Sequence, residues 1–288
     1  MLFQYFLICD DQLHQRKSVF YSEIMERRYT QIRQIDTDKF HIGISYNFNI
    51  FLSALISRIS ENLRSILKNM KIKDIDLVIF DMDGTLLKSE TYSVLAIQNA
   101  LRNLYKNHNI SKVMPSSELI LSKIGQPSVQ FYLDLLDEEH KHLIDELHTG
   151  IQDHEEIALK SGKGMLFPGT EETLVYLKQQ GYRIGLESNC SMRYFSNVKS
   201  VFNLDKYLDI SQCIGESEGL NKISIISGFI KILKSKKAVV VGDRFYDVES
   251  GKANGCITIG CLYGYGKRDD FVDADFLIED IRELKELL

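Results

Sequence analysis

Four short apolar runs dominate the sequence after residue 75: "LVIF" (77–80), "RIGL" (183–186), "AVVV" (238–241) and "CITI" (256–259). Stretches with helical spacing separate them. Continuous apolar strands alternating with helices are the pattern of a parallel sheet covered on both faces. The predicted class is therefore α/β, with a doubly wound (Rossmann-like) parallel sheet. The helix before the second run, "FPGTEETLVYLKQQG", has Pro168 at its entry and Gly181 just past its end, which are the residues that favour a helix start and stop.

Roughly 100 residues separate the first run from the second, too many for one crossover helix. The region between them has helical patterning, as in "SVLAIQNALRNLYKNH" and "SVQFYLDLLDEEHKHLIDELHTGIQDHEEIALKS". The expected organisation is an α/β core over 70–87 and 166–288, with an all-helical cap inserted at 88–165. Residues 1–69 carry a different signal. Phe40, Ile42, Ile44, Tyr46, Phe48 and Ile50 alternate as on a half-buried strand, and Leu52, Leu55, Ile56, Ile59, Leu63, Ile66 and Leu67 follow at helical spacing. They predict a small N-terminal α+β addition, whose helix could pack on its own strand or form a homodimer with a second copy.

Hydrophobic residues make up 44% of the 288, so a large core is affordable and global disorder is excluded. A net charge of −5 argues against nucleic acid or an anionic membrane as the main partner. The apolar start "MLFQYFLICDDQ" meets Asp10 and Asp11 too early for a secretion signal, and no run reaches membrane-spanning length. Cys9, Cys190, Cys213, Cys256 and Cys261 are scattered and form no C-x-x-C, which fits free thiols in a reducing cytoplasm.

In an open parallel sheet, ligands bind beyond the carboxyl ends of the strands. Asp81 and Asp83 follow the first run, Ser188 the second and Asp243 the third, so all are expected at one edge. Gly84 lets the chain turn after the carboxylates, and Thr85 opens the next element. Asp247 lies one helical turn after Asp243. Carboxylates converging in this way repel one another unless a hard cation sits among them, and oxygen ligands suit Mg²⁺. Ser188 and Lys222 are suited to hold a phosphoryl group.

These residues carry a resemblance. "DMDGTL" (81–86), Ser188 after "RIGLE", Lys222 in "GLNK" and "GDRFYD" (242–247) resemble, in order, the four motifs of the haloacid dehalogenase (HAD) superfamily. The stretches "FPGTEETLVYLKQQGYRIGLESN", "GDRFYDVESGKANG" and "YGYG" (263–266) are most similar to its phosphoglycolate-phosphatase-like branch, which has a helical cap. The likeness spans about 74–288, and Met70 stands where such enzymes usually begin. It implies hydrolysis of a small soluble phosphomonoester, with Asp81 as nucleophile and Asp83 as acid and then base. Ser188 and Lys222 would hold the phosphoryl group. Asp81, Asp243 and the main-chain carbonyl of Asp83 would hold Mg²⁺, with Asp247 supporting Lys222 or a metal-bound water. The acid at Asp83 favours phosphoryl transfer over dehalogenation, because a halide leaving group needs no proton.

Two positions depart from the pattern. Lys222 is followed by Ile223 where many relatives have proline, leaving Lys234, Lys236 and Lys237 as alternatives. Lys88 replaces a frequent aspartate. Asn189 would touch phosphate or only cap its turn, and Gly125 in "KIGQPS" would be a substrate loop or a plain turn. The cap histidines His108, His140, His142, His148 and His154 read as a solvated face, and Cys190 as structural. Other functions compatible with the same residues are a phosphomutase, a phosphonatase using Lys112 or Lys123, and a regulatory or binding protein working through residues 1–69.

Overall fold

The structure, a computed structural model, describes residues 71–288. The expected addition over 1–69 lies outside them. Residues 73–286 form one compact unit together with Leu288. Its sheet has six strands: β1 (Leu77–Asp81), β2 (Arg183–Ser188), β3 (Ile210–Cys213), β4 (Ala238–Gly242), β5 (Ile257–Cys261) and β6 (Phe276–Ile278). Every pairing is parallel, and the order is β3-β2-β1-β4-β5-β6. Strand order therefore reverses between β1 and β4, and a crevice opens at such a reversal at the carboxyl ends.

All four expected runs are strands, with two differences. β2 continues past its apolar stretch through Glu187 and Ser188, because both still pair with β3. β3 ("ISQC") and β6 ("FLI") had no clear signal. They are short edge strands: three of the four β3 residues are only half-buried, and the apolar run of β6 is only three residues long, too short to stand out as a strand.

Four helices fall within 88–165: α1 (Ser93–Asn107), α2 (Ser117–Lys123), α3 (Ser128–Leu133) and α4 (Ile144–Lys160). The long helical pattern after Ser128 is broken into α3, a 3₁₀ turn (Glu138–Leu143) and α4. Ile97, Leu101, Ile120, Phe131, Leu147 and Ile151 form a core of these helices' own. The two chain passages to and from them run side by side. Lys88 N–H donates to the Met165 carbonyl at 2.8 Å, Phe167 N–H donates to Leu86 at 2.9 Å, and Leu87 bridges Leu166.

The sheet is flanked by α5 (Thr170–Gln179), α6 (Met192–Val201), α7 (Lys222–Leu233) and α8 (Phe245–Ala253), and α9 (Leu284–Leu287) ends the chain. α5 stops at Gly181 (φ +86°), where Tyr182 N–H reaches back to the Leu177 carbonyl at 3.0 Å, a left-handed closure that favours glycine. α7 packs Ile225, Ile226 and Phe229 on Leu77, Ile79 and Val240. A Cβ on Gly185 would lie 2.9 Å from the Phe229 ring, so this glycine lets α7 sit close. That packing carries Lys222, the first residue of α7, to the sheet edge. Among the described residues no helix is long and apolar enough to cross a membrane.

Candidate active site

β1 is fully buried, and side chains alternate along it. Leu77, Ile79 and Asp81 therefore share one face, so Asp81 ends the strand on the side covered by α7. There Lys222 Nζ lies 2.6 Å from Asp81 Oδ1, 2.5 Å from Asp247 Oδ1 and 3.0 Å from Glu187 Oε1. All four side chains are nearly inaccessible. Burial alone would lower the lysine's pKa, but Asp247, Asp81 and Glu187 outweigh it and hold the ammonium well above its ordinary value. Burial pushes the Asp81 carboxyl up, Lys222 pulls it down, and Asp247 and Asp83 push it up again. Lys234, Lys236 and Lys237 lie elsewhere: Lys236 and Lys237 donate main-chain N–H groups to Asp76, ahead of β1.

Asp243 follows directly after the neighbouring strand β4 and is completely buried. Its Oδ2 accepts Tyr265 N–H at 2.6 Å, and the Thr85 hydroxyl lies 3.5 Å from its Oδ1 and 3.4 Å from Asp81 Oδ2. Thr85 thus spans the two carboxylates. Backbone crowds Asp243 from two directions. A Cβ on Gly84, whose φ is +86°, would fall 2.2 Å from Asp243 Oδ2, and one on Gly264 would fall 2.3 Å from its Cβ. Burial raises the Asp243 pKa well above the carboxylate range, and Asp81 and Asp247 add to it.

Asp83, two residues on, has a different environment. The hydroxyls of Ser89 and Tyr194 donate to its Oδ1, the latter at 2.7 Å, and Tyr194 contacts Tyr92 hydroxyl to hydroxyl at 2.5 Å. Burial raises its pKa, which those hydroxyls and Lys222 only partly offset. Ser188 and Asn189 follow at the end of β2. The Asn189 side-chain amide donates to the Gly125 carbonyl at 2.8 Å, while Ser128 N–H donates to the Asn189 carbonyl at 3.2 Å. The 124–128 loop is thereby docked over the sheet edge, with Gly125 (φ +94°) against Arg244. Asp81, Asp83, Gly125, Ser188 and Asn189 all line one cavity of about 50 Å³.

The residues fit a divalent cation. Asp81, Asp243, Asp247 and Glu187 are buried together with a single lysine, so the negative charge is under-compensated. Three carboxylates, Asp81, Glu187 and Asp247, lie close enough to share an ion. That position is taken by the Lys222 ammonium. Asp247 is fully engaged there, because its Oδ2 also accepts Arg244 N–H at 2.8 Å. The acids left for a cation are Asp81 and Asp243. A second acidic group, Asp137, Glu139 and His140, is at the surface. The other expected cap histidines are mixed: His148 is partly buried against Tyr132, with ring centroids 5.3 Å apart, and burial lowers its pKa.

Several residues of this site escaped the sequence reading. Glu187 sits in a strand end, fully buried, with Oε1 on the Lys222 ammonium; a charge inside "RIGLES" was its only signal. Glu155 occupies the buried stripe Leu147, Ile151, Glu155, Leu159 of α4, a lone acid at apolar spacing. Ser89, Ser93, Tyr92 and Tyr194 are ordinary residues locally and gain meaning only by proximity. Tyr263 and Tyr265, in "YGYG" (263–266), bind the Thr85 carbonyl and Glu90.

Comparison with known proteins matches residues 78–261 to the family described as haloacid dehalogenase-like hydrolase. Phosphoglycolate phosphatase of Aquifex aeolicus is 26% identical over 221 residues, covering 74% of this chain and 96% of that protein. The Haemophilus influenzae phosphoglycolate phosphatase is 26% identical over 228 residues, covering 74% and 97%. Among solved structures, a predicted phosphoglycolate phosphatase from Haemophilus somnus superposes with a TM-score of 0.65 at 22% identity, covering 75% of this chain and 98% of that one. CbbY from Rhodobacter sphaeroides, solved with phosphate, gives 0.62 at 18%, covering 74% and 99%.

Proposed function

The chain belongs to the haloacid dehalogenase-like hydrolases, in their phosphoglycolate-phosphatase-like branch, and from that premise we propose that it is a Mg²⁺-dependent phosphatase acting on a small, soluble phosphomonoester through an aspartyl-phosphate on Asp81. The observation that carries this reading is the contrast between the two carboxyls of "DMD". Asp81 is held against Lys222 and beside Asp243, while Asp83 is wrapped in hydroxyls with its pKa raised by burial.

Each group then has a task. Asp81 attacks phosphorus, and the bond from phosphorus to the ester oxygen breaks. Asp83, protonated at the start, gives its proton to that oxygen, so the alcohol leaves neutral. Asp83, now a carboxylate, takes a proton from water as the water oxygen attacks the phosphorus, which frees phosphate and restores Asp81. Lys222 and Ser188 hold the phosphoryl oxygens, and Asp247 keeps Lys222 aimed at Asp81. Asn189 acts through its bond to Gly125, positioning the loop that closes the cavity. The residues fitted to hold Mg²⁺ are Asp81, Asp243 and the Asp83 carbonyl, and the ion would neutralise charge on the phosphoryl oxygens. We take 88–165 as the cap that covers the leaving group and 166–288 with 70–87 as the core.

A phosphonatase reading lacks support, since Lys112 and Lys123 bind Asp137 at 2.6 Å and Asp134 at 2.5 Å. The test is phosphate release from a panel of small phosphomonoesters, with and without Mg²⁺, for wild type beside Asp81→Asn. Metal-dependent turnover that disappears in the variant is expected. Equal phosphate release by Asp81→Asn would remove the covalent mechanism, and isomerised sugar phosphate in place of free phosphate would identify a mutase.

A further inference from the structure

Resting on the phosphatase reading, we propose that the site selects esters of short, uncharged, hydroxyl-bearing alcohols and rejects those whose leaving group carries a carboxylate, with Glu155 as the residue that determines this specificity. The cavity holding Asp81 and Asp83 is lined on its cap side by Ser93, Gln126, Ser128 and Glu155. Among the described residues, no lysine, arginine or histidine lines it. The cations beside the lining are engaged elsewhere. Lys88 pairs with Glu90 at 3.6 Å, Lys123 with Asp134, and Arg193 with Asp153 at 2.7 Å and Glu156 at 2.5 Å. Arg244, packed under Gly125, donates to the main-chain carbonyls of Tyr265 at 3.1 Å and Ser122 at 2.8 Å.

A carboxylate entering this cavity would add a buried anion beside Asp83 with no cation to pair it. That is among the costliest arrangements in a protein interior. A hydroxyl meets the opposite situation, because serine hydroxyls, a carboxamide and a carboxyl can each donate or accept. Glu155 is only 5% exposed, and its Oε1 accepts the Ser93 hydroxyl at 2.9 Å. Burial raises its pKa to about 8, so at neutral pH the carboxyl keeps its proton. A neutral carboxyl can donate to a substrate oxygen, and it offers an ammonium group little attraction. The cavity is small, about 50 Å³ including its phosphoryl end at Asp81 and Ser188, which keeps the alcohol short.

The experiment uses the full chain with Mg²⁺ and compares kcat/KM for glycerol 3-phosphate, 3-phosphoglycerate, phosphoglycolate and phosphoethanolamine. Acetyl phosphate serves as a small activated control for phosphoryl transfer. Glycerol 3-phosphate is expected to exceed 3-phosphoglycerate, which differs by a carboxylate in place of a hydroxymethyl group, by about tenfold or more. Gln126→Lys, which adds a cation at a half-buried loop position, is expected to raise kcat/KM for 3-phosphoglycerate by about tenfold. Glu155→Leu is expected to lower the ratio of glycerol 3-phosphate to acetyl phosphate turnover by a similar factor, with circular dichroism reporting that both variants fold. The proposal is overturned if either carboxylate ester or phosphoethanolamine is the best of the four. It also falls if Gln126→Lys leaves the ranking unmoved, or if only acetyl phosphate reacts, in which case the phosphatase reading still stands. Absence of Asp81-dependent release from acetyl phosphate as well would remove the phosphatase reading and this inference together.

Discussion

Replacing Glu155 by glutamine should change the pH dependence of stability more than stability at any one pH. The carboxyl titrates near 4.5 when unfolded and at about 8 when folded, a shift caused first by burial, which the Ser93 hydrogen bond does not overcome. The folded state therefore binds this proton more tightly than the unfolded state. Its contribution is fully present below pH 4.5 and is lost as pH rises towards 8. At about 1.4 kcal/mol per pKa unit, the wild type loses about 4 kcal/mol from this group between pH 5 and pH 9. Glutamine has nearly the same shape, can still accept from Ser93, and does not titrate. Urea unfolding of both proteins, followed by far-ultraviolet circular dichroism across that range, isolates the effect, since the other ionisable groups are shared. The variant should gain on the wild type by about 4 kcal/mol from pH 5 to pH 9, most of it by pH 8. A difference that stays constant with pH would refute the argument, because it would mean that the carboxyl is solvated or paired when folded.

Gly84→Ala forces a Cβ to within 2.2 Å of Asp243 Oδ2 at φ +86°, so the carboxylate must move; titration of activity with Mg²⁺ should show weaker metal activation in a chain that still folds. Lys222→Met leaves Asp81, Glu187 and Asp247 without their shared cation. It should cost about 3–5 kcal/mol at pH 8, with the loss shrinking under acid as the carboxyls take up protons; an equal loss at pH 4 and pH 8 would count against charge pairing as the cause. Tyr194→Phe removes a donor that lowers the Asp83 pKa. The pH–kcat profile should then shift upward, because the hydrolytic step needs Asp83 ionised, and an unmoved profile would place the rate-limiting base elsewhere.

Much of the fold was readable locally. β1 and β4 are buried on both faces, so they appear as unbroken apolar runs, and a carboxylate closing such a run has little reason to be there except at a ligand edge. Those two facts were enough to locate Asp81, Asp83 and Asp243 at one rim. β3 and β6 were not readable, because β3 mixes polar residues into its four positions and β6 has only three residues. Glu187 and Glu155 were missed for a related reason. A single acid in an apolar stripe looks like an exposed position until neighbouring elements cover it.

What the sequence by itself determined was the four strands β1, β2, β4 and β5, their common carboxyl edge and the chemistry of its acids, since strand period and residue type are local properties. Tertiary structure alone decided which groups meet. Lys222 reaches Asp81 across 141 residues because α7 packs flat on the sheet at Gly185. Asp247 is turned to that lysine by its bond to the Arg244 N–H. Glu155 enters the cavity because α4 folds back beside α1, where Ser93 waits for it. Such meetings depend on register and packing between distant segments, and no local pattern of residues encodes them.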